Sequence, residues 1–219
     1  MARTTGLLYL GLAISGMLGF LWTRPRLYDA ADPTATLANL TGNPNLATAL
    51  VVFELLIVLT QALTAAWFYR LFRTSDPVSA AGIAAFGLIN STLILISAGL
   101  LGAANNIATD PFGDAANTVQ LLFTISGELW AVGAIFFGLW LIPMGTAVLG
   151  TGLMPKALGW LLIVSGVGYV LHAFLRFDPL AFPATIGEFW IIGYLLIFGT
   201  RKRSQRRPAE GGTDPVKIA

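Results

Sequence analysis

The feature that most constrains this chain is a series of six apolar stretches with short polar punctuation between them. A membrane-crossing helix needs about 20 apolar residues to span about 30 Å of hydrocarbon. Residues 5–23, 46–69, 78–101, 119–149, 157–175 and 184–200 meet or approach that length. Composition leaves no soluble alternative. Apolar residue types make up 56% of the chain and charged ones 11%, where a soluble domain carries about 25% charged residues. So little charge cannot cover a surface facing water, and the reading is an all-α, polytopic membrane protein of six helices in three hairpins. Cysteine is absent, which excludes disulfides, thiolate zinc sites and iron–sulfur clusters. The single histidine, His172, excludes a bis-histidine haem within one chain. No cofactor and no nucleic-acid module is implied.

The punctuation follows local chemistry. Residues 24–44 hold three prolines and read as a polar loop of moderate length. Asp76-Pro77 opens a helix with proline in its first turn, and Asp110-Pro111 and Gly150-Thr151-Gly152 read as turns. Of thirteen Lys and Arg, ten fall on one side of the alternating spans and three, Arg24, Arg26 and Arg176, on the other. By the excess of basic residues in cytoplasmic flanks, both termini are expected in the cytoplasm of a cell whose plasma membrane holds the protein. The first span is long, is followed by Arg24-Pro25-Arg26, and lacks a small-x-small site, so it is expected to stay rather than be cleaved as a signal peptide. Residues 1–200 form the expected transmembrane domain. Residues 201–219 form a basic, disordered cytoplasmic tail whose Arg201, Lys202 and Arg203 could touch anionic lipid.

The block Ile135 to Leu139, then Pro143-Met144-Gly145, Gly152 to Gly159 and Ser165 to Tyr169, resembles a family of bacterial multi-pass membrane proteins, DUF4386. The opening Arg3 to Leu10 and the closing Ile186-Gly187-Glu188 are similar to it too. One departure is that this chain carries Glu128 where the family leads one to expect a histidine or similar polar residue. The resemblance implies the multi-pass architecture and carries no catalytic residue over.

A charge inside hydrocarbon costs about 2.5–3.5 kcal/mol on insertion scales, so the ionisable residues within the spans stand out. They are Glu54, Glu128, His172 and Glu188, with Arg176 at a span end. Measured from the basic anchors at about 1.5 Å per residue, all four fall in the outer half of the membrane. They are expected to converge, with Glu128 and Glu188 near the His172 ring and Arg176 at the rim. Gly127-Glu128-Leu129-Trp130-Ala131-Val132-Gly133 also recurs as Gly187-Glu188-Phe189-Trp190-Ile191-Ile192-Gly193, a pattern compatible with a duplicated hairpin. Several readings remain open. The layer could lock helices together, or form a small-ligand, proton or ion pocket opening outward, as in a transport-like protein. An enzyme could use Glu128 or Glu188 with His172 as acid and base. A metal could find carboxylates and an imidazole there, although no HExxH spacing supports one. A helical accessory subunit, alone or in a homo- or hetero-oligomer, is the third class. Gly99 to Ala103 and Gly11 to Ser15 are expected to be close-packing surfaces.

Overall fold

The computed structural model describes residues 1–175 and 177–200, and among them every regular element is helical. In chain order these are α1 (Ala2–Leu27), α2 (Pro33–Gly42), α3 (Pro44–Phe72), α4 (Pro77–Thr109), α5 (Ala115–Thr151), α6 (Lys156–Leu175) and α7 (Phe182–Ile197). Five of them, α1 and α3 to α6, are long and apolar enough to cross a membrane; α7, at 16 residues, is a shorter apolar helix. The architecture is that of a polytopic membrane protein. Successive long helices pack side by side, and α1 closes the ring by packing on both α3 and α7.

Helix starts are set by aspartates. Asp32 accepts hydrogen bonds from the N–H groups of Thr34 and Ala35, Asp76 from that of Ser79 and Asp114 from that of Asn117. Each satisfies donors that the first helical turn leaves open. In the first two cases a proline follows at the position where its missing N–H costs nothing. Gly152, with φ at 66°, ends α5 in the left-handed conformation that glycine adopts without steric cost.

Residues 24–44 are not the loop that their prolines suggest. α1 continues to Leu27, and Pro33–Gly42 is a helix of its own. Pro25 ought to break α1, because its ring presses on the carbonyl four residues back. The turns just before it, Met17–Thr23, are widened into a π-helix, and Thr23 Oγ1 donates to the Leu18 carbonyl at 2.7 Å. That wider register makes room for the ring without ending the helix. The third and fourth long helices also outrun the apolar stretches, at 33 and 37 residues, or about 50 and 55 Å at 1.5 Å per residue.

The surplus length lies at the end where α2 sits, and it builds a second core there. Leu27, Leu40, Leu50, Leu101, Val119 and Phe123 are buried together in it. The main core, around Tyr9, Phe68, Trp140 and Met144, fills the rest of the ring. Helices α5 and α6 approach each other closely. A Cβ at Gly138 would come 2.5 Å from the Gly166 carbonyl oxygen, and one at Gly145 2.5 Å from that of Gly159. Seven residues separate each pair along its helix, so the contact repeats after two turns. Gly99 and Gly102, expected to be a packing surface, would meet nothing within 4 Å; Gly11, on the other expected surface, does pack, against Thr60.

Candidate functional site

Between the two cores runs a polar layer made by four helices. Arg24, near the end of α1, is 7% exposed and turns inward. Its Nη1 donates to Ser126 Oγ at 2.9 Å and its Nη2 to the Phe123 carbonyl at 2.7 Å, both on α5. Phe20, Tyr28 and Phe123 present their rings to the guanidinium at 5.6 to 5.8 Å, and cation–π attraction strengthens as water is removed. Ser126 Oγ lies 2.7 Å from Ser97 Oγ on α4.

Glu54, on α3, completes the layer at 2% exposure. Its Oε1 stands 3.9 Å from Arg24 Nη1 and accepts a hydrogen bond from Trp130 Nε1 at 2.9 Å. Its other oxygen, Oε2, is buried and accepts no well-formed hydrogen bond, although the Ser97 hydroxyl is a further polar neighbour of the carboxylate. An ionised carboxylate offers about four acceptor positions, so this one has spare capacity in a place where unpaired acceptors are costly.

Glu188 sits elsewhere. It is half-buried on α7, and its Oε1 accepts from Tyr9 Oη at 2.8 Å. Tyr9 itself is 1% exposed, with its ring against Trp140 at 5.2 Å and Phe68 at 5.9 Å. Helix register separates the two carboxylates in depth as well. Gly6 packs on Leu195 and Gly19 on Phe53. In antiparallel helices this puts Glu188 beside about residue 13 of α1 and Glu54 beside about residue 18, roughly 7 Å apart at the helical rise.

Of the other residues singled out in sequence, Glu128 is exposed on α5 and His172 is half-buried in the last turns of α6; Arg176 lies outside the described residues. The two copies of the Gly-Glu-x-Trp pattern occupy different surroundings. Trp130 is bonded to Glu54 and Gly133 packs on Asn90, whereas Trp190 is exposed and Gly193 meets nothing. Sequence reasoning misses Arg24 and Tyr9. Arg24 is legible in principle, because Phe20, Arg24 and Tyr28 are spaced four apart on one helix face. Tyr9 has no such signal.

Two clefts lie at the α2 end. One of about 440 Å³ opens between Leu40, Ala47, Asn105 and Pro111, and one of about 550 Å³ between Trp22, Asn43, Leu46 and Phe53. Neither is lined by a carboxylate. No group of three or more His, Cys, Asp or Glu suited to a metal is gathered among the described residues.

The pattern defining the domain of unknown function DUF4386 matches residues 4–199. An uncharacterized protein of Archaeoglobus fulgidus is 37% identical over 65 residues, 30% of this chain, and the chain spans 39% of that relative's length. No solved structure matches the chain. The glycines of the α5–α6 contact, Gly138, Gly145, Gly159 and Gly166, all fall within the block that resembles the family.

Proposed function

The chain belongs to the DUF4386 family, a family defined without an activity, and on that premise we propose that it takes up a proton or a small polar ligand at Glu54. The carrying observation is a carboxylate 2% exposed, with Ser97 at hand, one oxygen engaged by Trp130 and Arg24, and the other accepting no well-formed hydrogen bond. Such a group is a poor structural element and a good acceptor. In this reading α7 is the sixth span, both termini are cytoplasmic, and the layer lies in the outer half of the plasma membrane. Residues 1–200 are the transmembrane domain. The basic residues Arg201, Lys202 and Arg203 are the chain's contact with anionic lipid. Glu188 with Tyr9, and Glu128, His172 and Arg176 beyond them, are further members of the polar set.

The test is Glu54→Gln, which keeps the shape and removes the charge. Purified protein is expected to fold, and to lose the pH- or ligand-dependent shift in melting temperature shown by the native chain. An unchanged response in the variant would sink the reading.

The competing reading is a structural lock within an accessory subunit. It is favoured by the engagement of Arg24 with Ser126, the Phe123 carbonyl and Glu54 across three helices. A lock predicts that Glu54→Gln loses about 3–5 kcal/mol, because a buried cation loses its partner, and that the native chain co-purifies with a larger complex.

A further inference from the structure

The polar layer has a continuation toward the other end of the ring. Seven residues from Glu54 on α3 stands Gln61, seven from Ser97 on α4 stands Asn90, and seven from Ser126 on α5 stands Gly133. Seven residues are about two helical turns, so each pair shares a face, with about 10 Å between the levels. The second level is an amide pair: Asn90 Nδ2 donates to Gln61 Oε1 at 3.0 Å. Gly133 is the space that admits it, since a Cβ there would come 2.9 Å from Asn90 Oδ1.

Two donors beside this pair are unanswered. Gln61 Nε2 is buried without a hydrogen-bond partner, and so is Trp140 Nε1; both residues are 0% exposed. Both stand within about one helical turn of the contact between Gly87 and Ala65. Trp140 Nε1 points at Gly87, where a Cβ would lie 3.4 Å from it and 2.8 Å from Ala65 Cβ. Gly87 is three residues from Asn90, and Ala65 four from Gln61, so each is one turn along the same helix face. A buried amide or indole N–H left bare is costly, and two such donors within about one turn can share an acceptor.

We infer that a buried water is bound between α3, α4 and α5, accepting hydrogen bonds from Gln61 Nε2 and Trp140 Nε1 beside Gly87. The site is sealed and lined by donors, and buried waters typically make about three hydrogen bonds to such groups. Because the Trp140 ring packs on Tyr9, whose hydroxyl holds Glu188, the water adjoins the Tyr9–Glu188 pair. It extends the polar set of the proposed function without requiring that Glu54 bind anything.

The experiment uses the full chain, ¹⁵N-labelled at tryptophan, in lipid nanodiscs. The Trp140 indole N–H signal is identified by its loss in Trp140→Phe. In the native chain it is expected at a hydrogen-bonded frequency, with magnetisation transfer from a bound water. Gln61→Leu should move that signal and weaken the transfer while the Trp130 signal, bonded directly to Glu54, stays. A Trp140 N–H at the frequency of a free indole with no water transfer would overturn the inference, as would an unaltered signal in a folded Gln61→Leu protein. If Gln61→Leu does not fold, the native spectrum alone decides. Glu54→Gln should leave the Trp140 signal in place, so failure here and failure of the Glu54 reading are separate results.

Discussion

Glu54 and Glu188 are both glutamates within apolar helices, and both find their partner on α1, yet the partners differ in kind. Glu54 faces a guanidinium that is itself held by Ser126, the Phe123 carbonyl and three rings. Glu188 accepts from a neutral phenol wedged between Trp140 and Phe68. The first arrangement ties α1 to α3 and α5 through a charge that cannot be neutralised, since arginine stays protonated. The second ties α1 to α7 through one hydrogen bond. Two carboxylates that look equivalent in sequence thus hold the same helix at two depths with different strength.

The largest effect should come from Arg24→Gln. It removes the cation and both of its hydrogen bonds to α5, and leaves Glu54 as a buried anion with only the neutral partners Trp130 and Ser97. Truncating one partner of a buried pair costs about 3–5 kcal/mol, measurable as loss of folded protein in denaturant or heat. Glu54→Gln should cost less, because Arg24 keeps its other partners. The double variant should recover part of the Arg24→Gln loss, since residues in contact are not additive. Equal costs for the two single changes would mean that Glu54 is as structural as Arg24, and the comparison would break in favour of the lock.

That asymmetry also shows what is legible in the sequence. The apolar stretches fall within the five long helices and on α7, and the scarcity of charge inside them singles out Glu54, Glu128, His172 and Glu188 together, without telling which of them turn inward. Arg24 reads as a flank, because an Arg-Pro pair after an apolar run ordinarily ends a helix. The π-turns that absorb Pro25 are a tertiary solution, and local sequence does not announce them. The helix at Pro33–Gly42 is announced, by Asp32 and Pro33 in cap and first-turn positions, but three prolines in one segment outweigh that signal. Which glutamate meets which partner depends on helix register, and register is set by contacts such as Gly6 on Leu195 that no single helix encodes.

A smaller effect is expected at the second carboxylate. Tyr9→Phe keeps the ring in its aromatic cluster and deletes the one donor to Glu188. A hydrogen bond to a charged group contributes about 1.5–3 kcal/mol, and the half-buried position of Glu188 places the loss at the low end, about 1–2 kcal/mol. Melting of Tyr9→Phe beside Arg24→Gln under the same conditions checks the order. A Tyr9→Phe loss as large as that of Arg24→Gln would show that the phenol, and not the guanidinium, is the principal tie of α1.

The smallest effect belongs to a carboxylate outside the spans, and it supplies the reference for the other two. Asp114 caps α5, the helix that carries Ser126 and Trp130. The Asn117 side chain and backbone N–H, which bond to it at 2.6 and 3.3 Å, hold its carboxyl below the usual aspartate range. A carboxyl depressed in the folded state binds its proton more readily when unfolded. Its contribution is therefore complete above the ordinary aspartate value of about 3.9 and is lost as pH falls through the lower folded value. The melting temperature of the native chain should carry a shallow acid shoulder below about pH 4 from this group. Asp114→Asn should keep the cap, because asparagine serves there as well as aspartate, and should remove that shoulder. Asp114 is fully exposed, so water and salt screen the group and the shoulder should be slight. If the acid profile is instead unchanged in Asp114→Asn and flattened in Glu54→Gln, the pH response of the protein arises in the buried layer, and the contrast between the two carboxylates of the ring becomes one of proton binding as well as of strength.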